Sequence, residues 1–292
     1  MNKSSNTVQI NLPIDQPLDL ALTLQSGQAF RWHQDCGRWS GFISGELVML
    51  ERLKDGLTIE CNATAAGSIA TAVYQYFRFD DNLTAIYDLF STDERLTQAI
   101  QQNWGLRILR QDPWECLITF ICSQNSNIPR IAKTQESLAN TLGNSVTMGS
   151  IERKAFPTPE ALAAAGEESL RNLSLGYRAT YVARTAEILA AGKLTLDPLR
   201  EASYEDAKNV LMKLPGVGAK VADCVLLFSL DKLEAIPIDR WVRRAFEEWY
   251  LAGEVLSYDK LLIWAHSTFG PNAGYAQQYL FLRRRQAKVE PV

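Results

Sequence analysis

The stretch LPGVGAKVADC, residues 214–224, followed by AIPIDRW, residues 235–241, decides how this chain folds. The preceding run SYEDAKNVLMK, residues 203–213, has Ser203 as an N-cap candidate and apolar Val210, Leu211 and Leu214 near its end, so it predicts a helix that stops at Pro215. Gly216 and Gly218 allow a tight turn, and a second helix starts at once. The free N–H groups of its first turn point outward as an anion site. The pattern is a helix, a hairpin and a helix over residues 203–231, with a backbone cradle suited to phosphate.

Lys220 falls in the first turn of the second helix, where the macrodipole and partial burial both disfavour a charged ammonium. A lysine that is neutral part of the time is a nucleophile. A helix from Ala219 to Leu230 rises about 18 Å, and the extended residues Asp231 to Ile238 span at most roughly 26–29 Å. The chain can therefore return Asp239 to the level of Lys220. Asp239 also precedes WVRRAFEEWY, an amphipathic helical pattern, so its ordinary role is an N-cap. Lys220 and Cys224 stand four apart, as do Gln277 and Phe281, and each pair shares a helical face. Two such faces can close on one planar ligand.

Further from the hairpin, the chain changes character near residue 90. Before it, VQINL, RWSGFI, ELVMLERL and GLTIEC read as antiparallel strands, followed by helices at 68–77 and 83–90. After it, helical periodicity predicts segments at 93–104, 114–124, 128–142, 159–165, 167–173, 178–191, the hairpin pair, 239–250, 257–268 and 274–286. The expected class is α+β, with an antiparallel N-terminal unit at 1–92 on a mainly helical body at 93–292.

With 292 residues and 47% hydrophobic content, the chain can bury a large core in two closely packed units. Five cysteines, at 36, 61, 116, 122 and 224, form no metal-ligand spacing, and the tail LRRRQAKVEPV has none. This points to a reducing compartment and away from disulfides or an iron–sulfur cluster. With only His33 and His266, a histidine metal centre or triad is not expected. The start MNKSSNTVQINLP has no apolar run of the export type, and no segment is long enough to span a bilayer. The net charge of −3 argues against a uniformly basic nucleic-acid binder. A single positive face is still available from Arg130, Arg178, Arg184, Arg240, Arg243, Arg244 and the run Arg283–Arg285.

Taken together, LPGVGAKVADC and AIPIDRW resemble the helix-hairpin-helix DNA glycosylases that also cleave the strand. SGQAFRW (26–32), DPWECLITFICSQNSNIPRI (112–131), LGYRATYV (175–182) and YAQQYLF (275–281) are similar, in that order, to segments of the 8-oxoguanine DNA glycosylase family. The resemblance implies a TATA-binding-protein-like N-terminal sheet on a helical body cleft between two lobes. It places Lys220 and Asp239 on the two catalytic positions. It also implies that Cys224 and Phe281 sandwich a flipped base, that Gln277 bonds its Watson–Crick edge, and that the Gly27 carbonyl reads N7. Guanine carries a lone pair at N7 and the oxidised base an N–H, so a fixed carbonyl attracts one and repels the other.

Asn125, Arg130 and Arg178 match positions that hold the estranged cytosine, and Tyr177 matches the residue wedged into the duplex. Gly216, Gly218 and Trp241 fall beside the phosphate. Trp241 stands where the better-known eukaryotic members tend to carry histidine, and QNSN replaces a run of asparagines. The implied partner is double-stranded DNA containing 8-oxoguanine opposite cytosine, bound by a monomer away from membranes. The implied location is the cytoplasm and nucleoid of a prokaryote, or the nucleus of a eukaryote. The chemistry requires no metal or organic cofactor. The alternatives are a glycosylase for another damaged purine, such as an alkylated base, and a non-catalytic DNA-binding protein. Singly, these residues have ordinary readings: Lys220 and Arg178 as surface charges, Cys224 and Phe281 as core, Gln277 as a solvent-facing helix position, and Gly27 and Asn125 as turn residues.

Overall fold

The computed structural model describes residues 7–287, so the first six residues and the final KVEPV of the arginine-bearing tail lie outside the described residues. The chain opens with β1 (Thr7–Pro13), α1 (Leu20–Gln25), β2 (His33–Asp35), β3 (Arg38–Ile43), β4 (Glu46–Leu53), β5 (Gly56–Asn62), α2 (Ala66–Tyr76) and α3 (Leu83–Leu89). It continues through α4 (Glu94–Gln102), α5 (Pro113–Cys122), α6 (Ile128–Leu142), β6 (Ser145–Met148), β7 (Ile151–Lys154), α7 (Pro159–Leu170) and α8 (Arg178–Ala190). The last elements are α9 (Tyr204–Leu211), α10 (Ala219–Ser229), α11 (Arg240–Trp249), α12 (Tyr258–Phe269) and α13 (Ala273–Gln286).

The sheet runs β1-β5-β4-β3-β2, each neighbour antiparallel. Its register follows from alternation: β3 buries Trp39, Gly41 and Ile43 and turns Arg38, Ser40 and Phe42 the other way. Ile69 and Val73 of α2 are buried in the same core as Leu50 and Ile59 of the sheet. The helical body has its own core, centred on α5, α8, α10 and α13. The unit boundary expected at 92/93 follows α3, whose Leu83, Ile86 and Tyr87 pack with the helical core, while Leu109 packs with the sheet. The α+β class holds.

Three pieces were not anticipated: α1, β2 and the hairpin β6–β7. That hairpin is polar and docks by long-range bonds, Asn62 Nδ2 to Thr147 O at 2.9 Å and Arg153 Nη1 to Ser40 O at 2.9 Å. The expected break between helices at 159–165 and 167–173 is present as Gly166 at φ 72°, inside α7.

Asp231, directly after α10, joins the two units. Its carboxylate takes Arg78, Arg110 and Arg200, the first from the segment after α2. These arginines hold the carboxyl of Asp231 below its ordinary range against the opposing effect of burial. The return segment from α10 to α11 therefore starts from a fixed point. Its far side is held by Gly274 N donating to Leu233 O at 2.8 Å, which ties the start of α13 to the same segment.

Candidate active site

The hairpin forms as the sequence predicts. Ser203 Oγ caps α9 by accepting from Asp206 N at 3.1 Å, and Val217 N closes the turn onto Leu214 O at 3.1 Å. Gly216 sits at φ +77°, and a Cβ there would come within 2.6 Å of the Tyr181 ring, so only glycine fits. Its carbonyl accepts from Gln124 Nε2 at 3.0 Å, which fastens the turn to the end of α5. At Gly218, the N-cap of α10, a Cβ would meet open space.

Helix α10 is buried along Val221 to Ser229, and Lys220 in its first turn is half-buried. Lys220 Nζ stands 5.2 Å from the centroid of the Phe120 ring, and Cys224 follows one turn on along the same helix. Phe120 stacks on Phe228 at 5.5 Å and takes the edge of Phe30 at 6.3 Å, an apolar floor beneath the amine. Burial pushes the Cys224 thiol up to about 11, partly offset by Lys220, so the thiol is neutral near pH 7.

Asp239 caps α11: its Oδ1 accepts from Trp241 N at 2.8 Å and Val242 N at 2.9 Å. Its charge bears on the Cys224 thiol and on the guanidinium of Arg285. Trp241 follows on α11 with Arg240 over its ring at 5.3 Å.

The opposite wall is α13. Tyr275 donates to Asp81 at 2.7 Å and Tyr279 to Leu106 O at 2.8 Å, which anchors one face. Gln277, Phe281 and Arg285 form another stripe at i, i+4 and i+8. Gln277 is 3% exposed, which overturns its reading as a solvent-facing position, and its Oε1 is buried without a hydrogen-bond partner. Such an atom costs stability unless a ligand satisfies it. Phe281 is half-buried with Arg285 over its ring at 5.3 Å.

Gly27 sits at φ +88° between two buried polar side chains. Gln28 Nε2 donates to Ser26 Oγ at 2.8 Å and to Arg107 O at 2.9 Å, and its Oε1 accepts from Leu109 N at 2.9 Å. The segment is therefore more than a surface turn: it is a fixed strut. A Cβ on Gly27 would lie 2.9 Å from Ile128 Cδ1 and 3.6 Å from Arg285 Nη1, which places this backbone against α13.

A second cluster borders the hairpin. Asn125, at φ +47°, donates through Nδ2 to Tyr177 Oη at 3.1 Å, and Tyr177 is 44% exposed. Arg178 is 5% exposed, which corrects its reading as a surface charge. Its guanidinium lies 4.7 Å from the Tyr177 ring and donates to Gln124 O and Asn125 O, so it fixes the Asn125 loop. Arg130 is exposed on the first turn of α6. The expected positive face is smaller than the sequence suggests: Arg130, Arg184, Arg240 and Arg244 are exposed, whereas Arg243, Arg283 and Arg284 pair with Glu247, Gln98 and Glu248.

The sequence reading missed Asp223. It is 0% exposed behind Lys220 and Cys224, and Lys208 Nζ lies 3.0 Å away. Tyr204 Oη donates to it at 2.8 Å and Tyr258 Oη at 3.3 Å, joining α9 and α12 to α10. One acid within an apolar run, with Tyr204 and Lys208 four apart on the preceding helix, was the available signal. Burial pushes this carboxyl up and Lys208 opposes that. Among the described residues, no group of three or more His, Cys, Asp or Glu is placed to hold a metal ion, and no helix is long and apolar enough to cross a membrane. A cavity of ≈ 870 Å³ is lined by Phe30, Arg31, Phe42, Trp114, Glu115 and Phe156 among others, and Lys220 is not in its lining.

A hairpin between two helices, with a half-buried lysine at its mouth and an acid at the head of the next helix, defines the helix-hairpin-helix class of base-excision repair proteins. The sequence profile of the 8-oxoguanine DNA glycosylase N-terminal domain matches residues 10–117, and that of the HhH-GPD superfamily of base excision DNA repair proteins matches residues 118–262. The chain is 36% identical to the N-glycosylase/DNA lyase OGG1 of Arabidopsis thaliana, over 93% of this chain and 78% of that protein. Its fold matches MBOgg1, solved with a low affinity DNA ligand, at a TM-score of 0.89 and 34% identity over 98% of both chains. It matches the Clostridium acetobutylicum 8-oxoguanine glycosylase/lyase, solved with dsDNA containing cytosine opposite to 8-oxoG, at 0.87 and 30% identity over 96% of this chain and 98% of that one. The chain belongs to the 8-oxoguanine DNA glycosylase family of the HhH-GPD superfamily.

Proposed function

We propose that this protein is a bifunctional DNA glycosylase and abasic-site lyase that excises 8-oxoguanine from duplex DNA in base excision repair. The observation that carries the reading is the half-buried Lys220 over the Phe120 ring at the mouth of the hairpin, together with the buried Gln277, whose Oε1 has no hydrogen-bond partner among the described residues. The names of the relatives, N-glycosylase/DNA lyase and 8-oxoguanine glycosylase/lyase, support it.

A flipped purine stacks between Cys224 and Phe281, and the buried Oε1 of Gln277 gains the donor it lacks. Gly27 reads N7–H through its carbonyl. The amine of Lys220 attacks C1′, forming a C–N bond as the bond to the base breaks and the base leaves with its electron pair. Loss of an amine proton and opening of the sugar give a Schiff base. Removal of a C2′ proton then expels the 3′ phosphate, which is β-elimination. Asp239 stabilises positive charge growing on the sugar and orients the amine. Gly216 and Gly218 present backbone to a phosphate, with Trp241 beside it. Asn125, Arg130 and Tyr177 face the vacated stack and the estranged cytosine, and Arg178 holds the loop that presents Asn125. The protein acts as a monomer on double-stranded DNA and uses no cofactor.

Borohydride trapping on a duplex carrying 8-oxoguanine opposite cytosine, followed by peptide mapping, tests substrate, intermediate and residue at once. The expected adduct is on Lys220, lost in Lys220→Gln. An adduct elsewhere, or faster excision of an alkylated purine than of 8-oxoguanine across a lesion panel, overturns the reading.

A further inference from the structure

The run Arg283–Arg285 at the end of α13 divides by environment. Arg283 donates to Arg95 O at 2.8 Å and lies 5.0 Å from the Trp249 ring, while Arg284 pairs with Glu248 at 2.6 Å and lies 5.8 Å from the same ring. Both are tied into the outer side of the helical body. Arg285 turns the other way. Its guanidinium carbon is 5.3 Å from the Phe281 centroid, and its Nη1 is 3.6 Å from where a Cβ on Gly27 would stand. Burial lowers its pKa, opposed by the charge of Asp239. Among the described residues, no hydrogen bond or salt bridge engages its side chain.

Two groups meet at this guanidinium, the aromatic face expected to stack on a base and the backbone expected to read it, and the charge of the carboxylate expected to stabilise the sugar also bears on it. A guanidinium is planar, delocalised and weakly hydrated, and it stacks on aromatic faces. It is the side chain that most nearly imitates a flat heterocycle with donors at its edge. Two turns back along the same stripe, the Oε1 of Gln277 is buried and unpartnered. The inner end of the slot is unsatisfied while its outer end is covered.

We propose that Arg285 is a placeholder for the flipped base, lying over Phe281 beside Gly27 until a nucleobase displaces it. This rests on the excision reading of the same slot. Displacement gives up the contact of the guanidinium with the Phe281 ring, and that loss is the same whichever base arrives. The placeholder therefore lowers occupancy by one factor for every base and leaves the ratio between lesion and guanine unchanged, because a competent state populated only in part weakens all ligands equally.

The test uses the DNA-free protein with 8-oxo-2′-deoxyguanosine and 2′-deoxyguanosine, measuring binding by ligand-observed NMR for the parent, Arg285→Ala and Arg285→Met. Both variants are expected to bind both nucleosides more tightly by a common factor of about ten. Binding that is unchanged or weaker overturns the proposal. So does tightening confined to the oxidised nucleoside, which would make Arg285 a reader of the lesion. Excision of an 8-oxoguanine duplex by the parent is scored alongside. If the parent leaves that duplex intact, the excision reading fails and the placeholder with it; if the parent cleaves but the variants bind no tighter, the placeholder alone fails.

Discussion

Helix α10 has two polar sides that have been treated in opposite ways. Behind it, Asp223 is completely buried and met by Lys208, Tyr204 and Tyr258, so each polar group has a partner from α9 or α12. In front, Lys220 lies over an aromatic ring, and Gln277 of α13 keeps a buried oxygen with no partner among the described residues. A closed polar network fixes a helix, because breaking it leaves a charge stranded in low dielectric. An open one is a place where binding energy can still be gained. The same eleven-residue helix is thus stabilised from one side and reactive on the other.

Substitutions can break this contrast. Lys220→Gln should lower single-turnover strand cleavage on an 8-oxoguanine duplex by on the order of 10⁴-fold or more. Its unfolding free energy from urea denaturation should stay within about 0.5 kcal/mol of the parent. A large loss of stability would mean that the front also holds the fold. Lys208→Met should do the reverse, costing about 3–5 kcal/mol in urea denaturation by stranding Asp223, with part recovered in the double variant with Asp223→Asn. A fully stable Lys208→Met protein would remove the distinction between the two sides.

Smaller effects sharpen it. Gln277→Ala should reduce kcat/KM for the lesion by about 10- to 100-fold, since it removes a partner for the base. The same loss on an abasic duplex, which presents no base, would show that Gln277 acts on the fold. Glu115 is a partly buried charge, incompletely compensated: desolvation pushes its carboxyl from 4.5 up to about 7, with Arg31 only partly opposing. Its value in the folded chain lies above that in the unfolded chain, so folding takes up a proton. Stability is fully present below about pH 4.5 and is lost as pH rises through 7. Glu115→Gln should abolish that loss, leaving the variant about 1–2 kcal/mol better than the parent at pH 8 than at pH 5, measured by urea denaturation at both values. An identical pH dependence in both proteins would show that the charge of Glu115 is fully compensated in the folded chain.

Much of this was legible in the chain before any fold was known. β3 and β4 begin and end where alternation placed them, and Ser203 and Asp239 cap the helices they were expected to cap. These features are local, set by periodicity and by one side chain meeting a backbone N–H within three residues. The polar hairpin β6–β7 was invisible because its partners, Asn62 and Ser40, are contributed by a distant sheet. Arg178 was misread for the same reason: its acceptors are carbonyls more than fifty residues earlier. Arg285 looked like one of three equal charges, and only packing against Trp249 on one side and Phe281 on the other separates them. A sequence shows which residues carry charge, but not which of them have already been spoken for.

The grip of three arginines on Asp231 makes the segment 232–238 a ruler of fixed length. Because one end is pinned at the seam between the two units and the other at the head of α11, adding a single glycine would shift the acid while the lysine stayed put. Both helices would remain intact, and the protein would be folded yet chemically out of register. Such a change in reach, with no change in composition at the site, would be a sensitive probe of how closely acid and amine must be matched.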